Sequence, residues 1–234
     1  MEARADLLAF GAHPDDVEIG MSGTIAKHVA VGKRVAICDL TEAEMSSNGN
    51  PELRRVEAEH AGTALGLSHR SCLKLPDRGL DGSPEMIRVI TAEIRLRRPR
   101  LVFAPYWEDR HPDHVRCSAM VEEAVFNAKL RRYLPELEPV TVEQLIFYYI
   151  NDVKHASLMV DVSAVYAQKI AALEAYRSQF MRGDDADDTV ATPLNQGYVD
   201  NVEARDRLLG AERGWSYAEG FAVKRPFPVS LFDA

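Results

Sequence analysis

Apolar runs rich in β-forming residues recur at Leu7–Ala12, Arg34–Leu40, Ser71–Leu75, Arg100–Ala104, Gln144–Tyr149 and Ser157–Val160. Longer segments with helical spacing separate most of them and predict helices at Ser22–Val31, Glu52–Leu65, Pro84–Arg97, His114–Arg132 and Val165–Gln179. Pro51 and Pro84 sit near helix starts, and Gly66 closes a helix. The strands are continuously apolar rather than alternating, so both of their faces are expected to be buried. That predicts an α/β chain with a mostly parallel sheet between helix layers, a three-layer αβα arrangement. After about residue 180 the pattern changes. Gly183–Asp188 reads as a solvated acidic loop, Glu203–Gly210 resumes helical spacing, and Tyr217–Val223 is a last apolar stretch before a proline-rich tail. With no internal repeat or low-complexity linker, residues 1–234 are expected to form one domain.

Composition narrows the function classes. With 46% hydrophobic and 27% charged residues, the chain has enough apolar material for a large core. A net charge of −8 and the absence of a Lys/Arg run exclude a general nucleic-acid binder, which needs a basic surface to neutralise phosphates. The apolar stretch after the N-terminal Met-Glu-Ala-Arg-Ala-Asp is too short for a signal peptide or a membrane span, so the expectation is a cytoplasmic protein without membrane contact. Cys38, Cys72 and Cys117 are odd in number, lack Cys-x-x-Cys spacing, and are expected to be buried thiols.

In a parallel sheet every strand's carboxyl end lies on one edge, and ligands bind there near the point where strand order reverses. His13-Pro14-Asp15-Asp16 follows the first strand and His111-Pro112-Asp113-His114 follows the fourth. In the commonest doubly wound order these strands are neighbours across the reversal, so the two segments are expected to meet. Pro14 locks one φ angle, so His13 and Asp16 can face one point while Asp15 projects differently. A catalytic zinc takes three protein ligands of this kind and keeps a fourth position for water. The third ligand is then a histidine of the second segment, with the other histidine left for chemistry; spacing does not decide which. Such a site suits amide hydrolysis, because zinc lowers the pKa of bound water to about 7. Asp15 would move the proton, His111, if protonated, would stabilise the oxyanion, and Asp113 would hydrogen-bond His111. Fe(II), Co or Mn also fit such a donor set.

Other candidates are weaker. Glu18 is a supporting carboxylate or a helix-start acid, and Asp39 ends the second strand where a dinucleotide fold would hold ribose. Phe10-Gly11-Ala12-His13-Pro14 is not Gly-x-Gly-x-x-Gly, and proline removes an amide that a phosphate cradle needs. Cys117 reads as a small apolar residue on a buried helix face, and His28, His60, His69 and His155 as structural or exposed. Either Arg54 or Arg55 can reach the pocket, against the default of a surface helix arginine.

The segments Ala12-His13-Pro14-Asp15-Asp16-Val17-Glu18-Ile19-Gly20 and His111-Pro112-Asp113-His114 closely resemble the LmbE-like, PIG-L family of zinc-dependent N-acetylglucosaminyl deacetylases. Cys38–Thr41, Ser46–Gly49, Leu75–Leu80, Glu108–His111, Tyr176–Phe180 and Gly197–Arg205 extend the likeness, which resembles the branch acting on N-acetylglucosaminyl malate in bacillithiol biosynthesis. The resemblance implies a Rossmann-like fold and His13, Asp16 and His114 as zinc ligands. It also implies Asp15 as general base, His111 as the oxyanion-stabilising or acid group, and Asp113 as its support. Arg54 and Asp77 would bind sugar hydroxyls, and Arg110 and Tyr198 would lie near the substrate or its acidic aglycone. The branch usually has glycine where this chain has Ser22 and Val115, differences that bear on pocket shape. Members of that branch tend to form hexamers, so the resemblance implies a homo-oligomer as well. The competing expectations are a deacetylase or amidase of another N-acetyl sugar or thiol conjugate, and a non-catalytic ligand-binding module.

Overall fold

The computed structural model describes residues 4–181 and 189–228. The acidic segment Gly183–Asp188 lies outside the described residues. The elements are β1 (Leu7–Gly11), α1 (Asp16–Ala30), β2 (Val35–Thr41), α2 (Pro51–Leu65), β3 (His69–Leu75), α3 (Pro84–Arg97), β4 (Leu101–Pro105) and α4 (Pro112–Ala128). They continue with β5 (Gln144–Tyr148), β6 (Leu158–Asp161), α5 (Tyr166–Glu174), α6 (Arg177–Phe180), α7 (Tyr198–Ala211) and β7 (Ala218–Ala222).

The seven strands form one sheet in the order β3-β2-β1-β4-β5-β7-β6. Pairings from β3 through β5 are parallel, and β7 runs antiparallel to both β5 and β6. The sheet is therefore mostly parallel, as expected, and its C-terminal edge is mixed. Successive residues of β1 serve opposite faces: Leu8 and Phe10 join the core shared with Ile90, Ile94 and Val121, while Leu7 and Ala9 join the one shared with Ile25 and Leu173. Covering both faces is what makes the inner strands continuously apolar. β3 is only partly buried because it is an edge strand, and Cys72 on it is exposed rather than the expected buried thiol.

The first helix starts at Asp16, six residues before the predicted Ser22, and the reason is a kink. Met21 leaves helical geometry (φ −151°, ψ 17°). The freed amides of Gly23 and Thr24 donate to the Glu219 carboxylate at 2.9 and 2.6 Å. The freed Ile19 carbonyl accepts from Lys169 Nζ and Arg205 Nη2 at 3.0 and 2.9 Å. Lys169 is fully buried and also pairs with Glu219 at 2.7 Å and Asp206 at 2.8 Å, so this buried charge is compensated. Residues 16–26 are buried around the whole circumference, which leaves no amphipathic stripe to read. The predicted helix Val165–Gln179 is likewise broken, into a 3-10 turn (Ser163–Val165), α5 and α6, and the predicted helix to Arg132 ends at Ala128.

Candidate functional site

The order reversal falls between β1 and β4, so the loops leaving their carboxyl ends meet at one edge of the sheet. At Gly11 a Cβ would come within 3.0 Å of the His13 carbonyl oxygen, so glycine permits the tight exit from β1. Asp15 then takes a left-handed backbone (φ 110°), unusual for a non-glycine residue, and caps α1. That turn sends neighbouring carboxylates in different directions. The Asp15 Oδ2 accepts from Arg54 Nη2 at 3.0 Å, whereas Asp16 Oδ2 accepts from the His13 amide at 2.9 Å.

Asp16 joins the two motifs. Its Oδ2 lies 3.5 Å from His13 Nδ1, and its Oδ1 lies 3.1 Å from His114 Nε2. The ring centroids of His13 and His114 are 5.6 Å apart, and His111 stands 4.9 Å from the first and 4.7 Å from the second. Among the described residues, two groups have ligand atoms close enough for one ion: His13 with His111 and His114, and His13 with Asp77 and Asp113. Asp16 belongs to neither group, yet it is the carboxylate in contact with two imidazoles. Imidazole nitrogen with carboxylate oxygen is the donor chemistry of zinc and its first-row neighbours, so the residues present fit a metal ion.

Electrostatics separates the carboxylates. Burial pushes Asp15 up to about 6, with Arg54 pulling the other way. Burial also works against an ionised Asp16, but His114 and His13 outweigh it and hold the group well below the usual carboxylate range. For Asp113 burial is again overcome, here by His13 and Arg78, and its pKa falls to about 2. His114 resists burial through Asp16 and Asp109 and rises to about 9.

The structure departs from expectation at Asp113. Its carboxylate accepts from the amide and Nη1 of Arg78 at 3.0 and 2.8 Å and lies 3.5 Å from His13 Nε2, away from His111. It is the Asp113 backbone N–H that donates to His111 Nδ1, at 3.2 Å, because His111 caps α4. Burial, His114 and His13 lower the pKa of His111, which favours a neutral ring with its proton on Nε2 over the expected cation.

A sequence profile described as "PIG-L: GlcNAc-PI de-N-acetylase" matches residues 8–125, about half of the chain and both histidine motifs. The chain belongs to the PIG-L family. It is 31% identical to diacetylchitobiose deacetylase of Thermococcus kodakarensis, over 74% of this chain and 70% of that one. It is 28% identical to 1D-myo-inositol 2-acetamido-2-deoxy-alpha-D-glucopyranoside deacetylase 2 of Saccharopolyspora erythraea, over 74% of this chain and 83% of that one. The crystal structure of the conserved protein TT1542 from Thermus thermophilus superposes with a TM-score of 0.89 at 40% identity, covering 98% of this chain and 99% of that one. This PIG-L chain is accordingly an enzyme, a deacetylase that hydrolyses N-acetyl amides, which sets aside the non-catalytic binding module.

In this PIG-L deacetylase a cleft of about 640 Å³ opens over His13, Asp15, Asp16, His111 and His114. Arg54, Asp77, Arg110 and Tyr198 all line it, but differently. Arg54 is not a surface arginine: it is 2% exposed and also donates to the Pro14 carbonyl, while its neighbour Arg55 is exposed and pairs with Glu59. Asp77 lies 3.1 Å from His13 Nε2 and accepts from the Met45 amide. Arg110 is exposed, whereas the Tyr198 hydroxyl is engaged by Asn151 and the Ile150 carbonyl. Three contributors carry no role in the sequence reading. Asp109 is 2.9 Å from His114 Nδ1, Asn151 donates to Asp109, and Arg78 grips Asp113. Asp109 offered a signal, being a carboxylate two positions before His111. Asn151 offered none, since only the pairing of β5 with β4 brings it there.

Proposed function

We propose that the protein is a zinc-dependent deacetylase that removes the N-acetyl group of an N-acetylglucosaminide, giving a free amine and acetate. The observation that carries this is the contrast between adjacent carboxylates: Asp16 is tied to two imidazoles, while Asp15, buried beside Arg54, is pushed up to about 6. His13, Asp16 and His114 would hold the ion. When bound, it supplies Lewis acidity, which polarises a carbonyl and makes water nucleophilic near neutral pH. Fe(II), Co or Mn would serve the same donor set.

The chain's own residues account for the proton movements. Asp15 takes the proton of the attacking water, a task suited to a base whose pKa lies near the working pH. It then returns that proton to the leaving amine. Arg54 holds Asp15 in one orientation through the contact at 3.0 Å. His111, with Nδ1 occupied by the Asp113 amide, presents Nε2–H to the amide oxygen as that oxygen gains negative charge. The Asp113 carboxylate, held by Arg78, lies against His13 Nε2, and only its backbone amide serves His111.

Within that class the substrate reading is N-acetylglucosaminyl malate, giving glucosaminyl malate in bacillithiol biosynthesis. All four candidate binding residues line the cleft: Arg54 and Asp77 would bind sugar hydroxyls, and Arg110 and Tyr198 would lie near the substrate or its acidic aglycone. The second reading is the same chemistry on another N-acetyl sugar, favoured by the different aglycones in the names of the relatives. An assay with added zinc, using N-acetylglucosaminyl malate and free N-acetylglucosamine side by side with a chelator control, tests both. Comparable kcat/KM on the two substrates would remove the malate reading, and turnover insensitive to chelator would remove the zinc. A single domain, a cytoplasmic location and a homo-oligomer complete the proposal; sedimentation tests the last, with the hexamer of that branch as one outcome. Among the described residues no helix is long and apolar enough to cross a membrane.

A further inference from the structure

We propose that Asp109 is the positioning residue for His114, and that Asn151 and Tyr198 hold Asp109, so that the cleft wall and the metal-facing imidazole share one hydrogen-bond chain. The inference rests on the reading of His114 as a zinc ligand. One oxygen, Asp109 Oδ1, gathers three donors: the His111 amide at 2.8 Å, His114 Nδ1 at 2.9 Å and Asn151 Nδ2 at 2.8 Å. Asn151 also reaches Oδ2 at 3.1 Å, and its own Oδ1 lies 3.2 Å from the Tyr198 hydroxyl.

This arrangement makes a chemical choice. An ionised carboxylate only accepts, so His114 Nδ1 must carry a proton to bond it. The lone pair of the neutral ring is then on Nε2, the nitrogen that faces Asp16 at 3.1 Å. Carboxylates in this position fix the ring's orientation and raise the basicity of the ligating nitrogen. The same oxygen anchors the His111 backbone, so one side chain sets both histidines of the second motif. Asn151 sits just past the end of β5 and Tyr198 begins α7, which ties the chain to two elements that β1 and α4 do not control. Tyr198, lining the cleft, is its outer end. Asp109 meets His114 at Nδ1, whereas the other ring nitrogen, Nε2, faces Asp16, which separates a positioning role from ligation.

The test is zinc affinity of the metal-free protein, measured by competition with a chromophoric chelator, for wild type, Asp109→Ala, Asp109→Asn, Asn151→Ala and Tyr198→Phe. Asp109→Ala is expected to lose about 10–100-fold in affinity. Asp109→Asn keeps an acceptor oxygen and loses less, with Asn151→Ala and Tyr198→Phe following in that order. ¹⁵N resonances of the His114 ring in the zinc-loaded protein add a readout that general destabilisation does not move: one Nδ1–H form in wild type, mixed forms in Asp109→Ala. Affinity of Asp109→Ala within about twofold of wild type, against the expected tenfold or more, overturns the inference. Unchanged His114 ring resonances overturn it as well. A wild type that binds no zinc overturns the zinc reading and this inference together, whereas equal binding by wild type and Asp109→Ala overturns the inference alone.

Discussion

The Asp15 carboxylate and the Arg54 guanidinium meet at 3.0 Å with 5% and 2% of their surfaces exposed, a buried ion pair on the floor of the cleft. Burial and Arg54 oppose each other at Asp15, and burial prevails, leaving a carboxyl that titrates at about 6. A base must be ionised to act, so activity falls as pH drops through the Asp15 pKa. The acid limb of kcat/KM is expected at or below about 6, because a nearby cation lowers it further. In Arg54→Met the limb moves to higher pH, since the attraction that held the charged form is gone. A pH profile of both proteins measures this; a limb that stays put or moves down contradicts the assignment of Asp15.

Asp15→Asn removes the proposed base but leaves His13, Asp16 and His114 intact. It is expected to keep stoichiometric zinc and lose roughly 10²–10⁴-fold in kcat. His13→Ala and Asp16→Ala lose zinc affinity as well. Metal analysis beside deacetylation rates separates the two classes, and full activity in Asp15→Asn would overturn the proposed base.

Behind the cleft, Arg70 joins Glu18 at 2.5 Å and Asp39 at 2.8 Å, with Tyr176 completing the cluster at 2.9 Å. Burial raises Asp39 to about 6 even against Arg70. A carboxyl whose folded pKa exceeds its unfolded value binds more protons in the folded state, so it costs stability as pH rises through that window. Arg70→Met leaves both carboxylates without their cation and is expected to cost about 3–5 kcal/mol. The loss should be larger at pH 8 than at pH 5, where protonation relieves Asp39. Denaturant unfolding at the two pH values checks it, and an equal loss at both would show that the carboxyl charge is not the cause.

Arg110 is exposed at the cleft, and the proposed substrate would bring an acidic aglycone to it. A hydrogen bond to a charged group is worth about 1.5–3 kcal/mol, so Arg110→Ala should raise KM for N-acetylglucosaminyl malate by roughly tenfold or more. KM for free N-acetylglucosamine should hardly change. Equal effects on the two substrates would place Arg110 elsewhere in the mechanism.

The predictions differ in how visible their residues are in the sequence. Asp15 and Asp16 are legible because short motifs combine imidazole and carboxylate after buried strands. Their opposite surroundings are legible only in outline, since the divergence depends on one left-handed residue, Asp15 itself. Proximity in sequence points Asp113 at His111, but α4 begins at Pro112 and turns its carboxylate toward Arg78 and His13. Helix starts are legible at Pro51 and Pro84. The start of α1 is not, because its first ten residues are buried on all sides and kinked at Met21.

By itself, the sequence determined the alternation of strands and helices, the parallel core of the sheet, and the two segments that meet at its carboxyl edge. These follow from local apolar periodicity and from the short list of ways such elements pack. Tertiary structure alone decided which atoms face one another: Arg54 against Asp15, Arg78 against Asp113, and Asn151 and Asp109 behind His114. Those contacts join residues from different strands and helices, and no local pattern encodes them, because side-chain direction depends on how separate elements dock. Burial, which sets the pKa of Asp15 apart from that of Asp16, is likewise a property of the assembled fold.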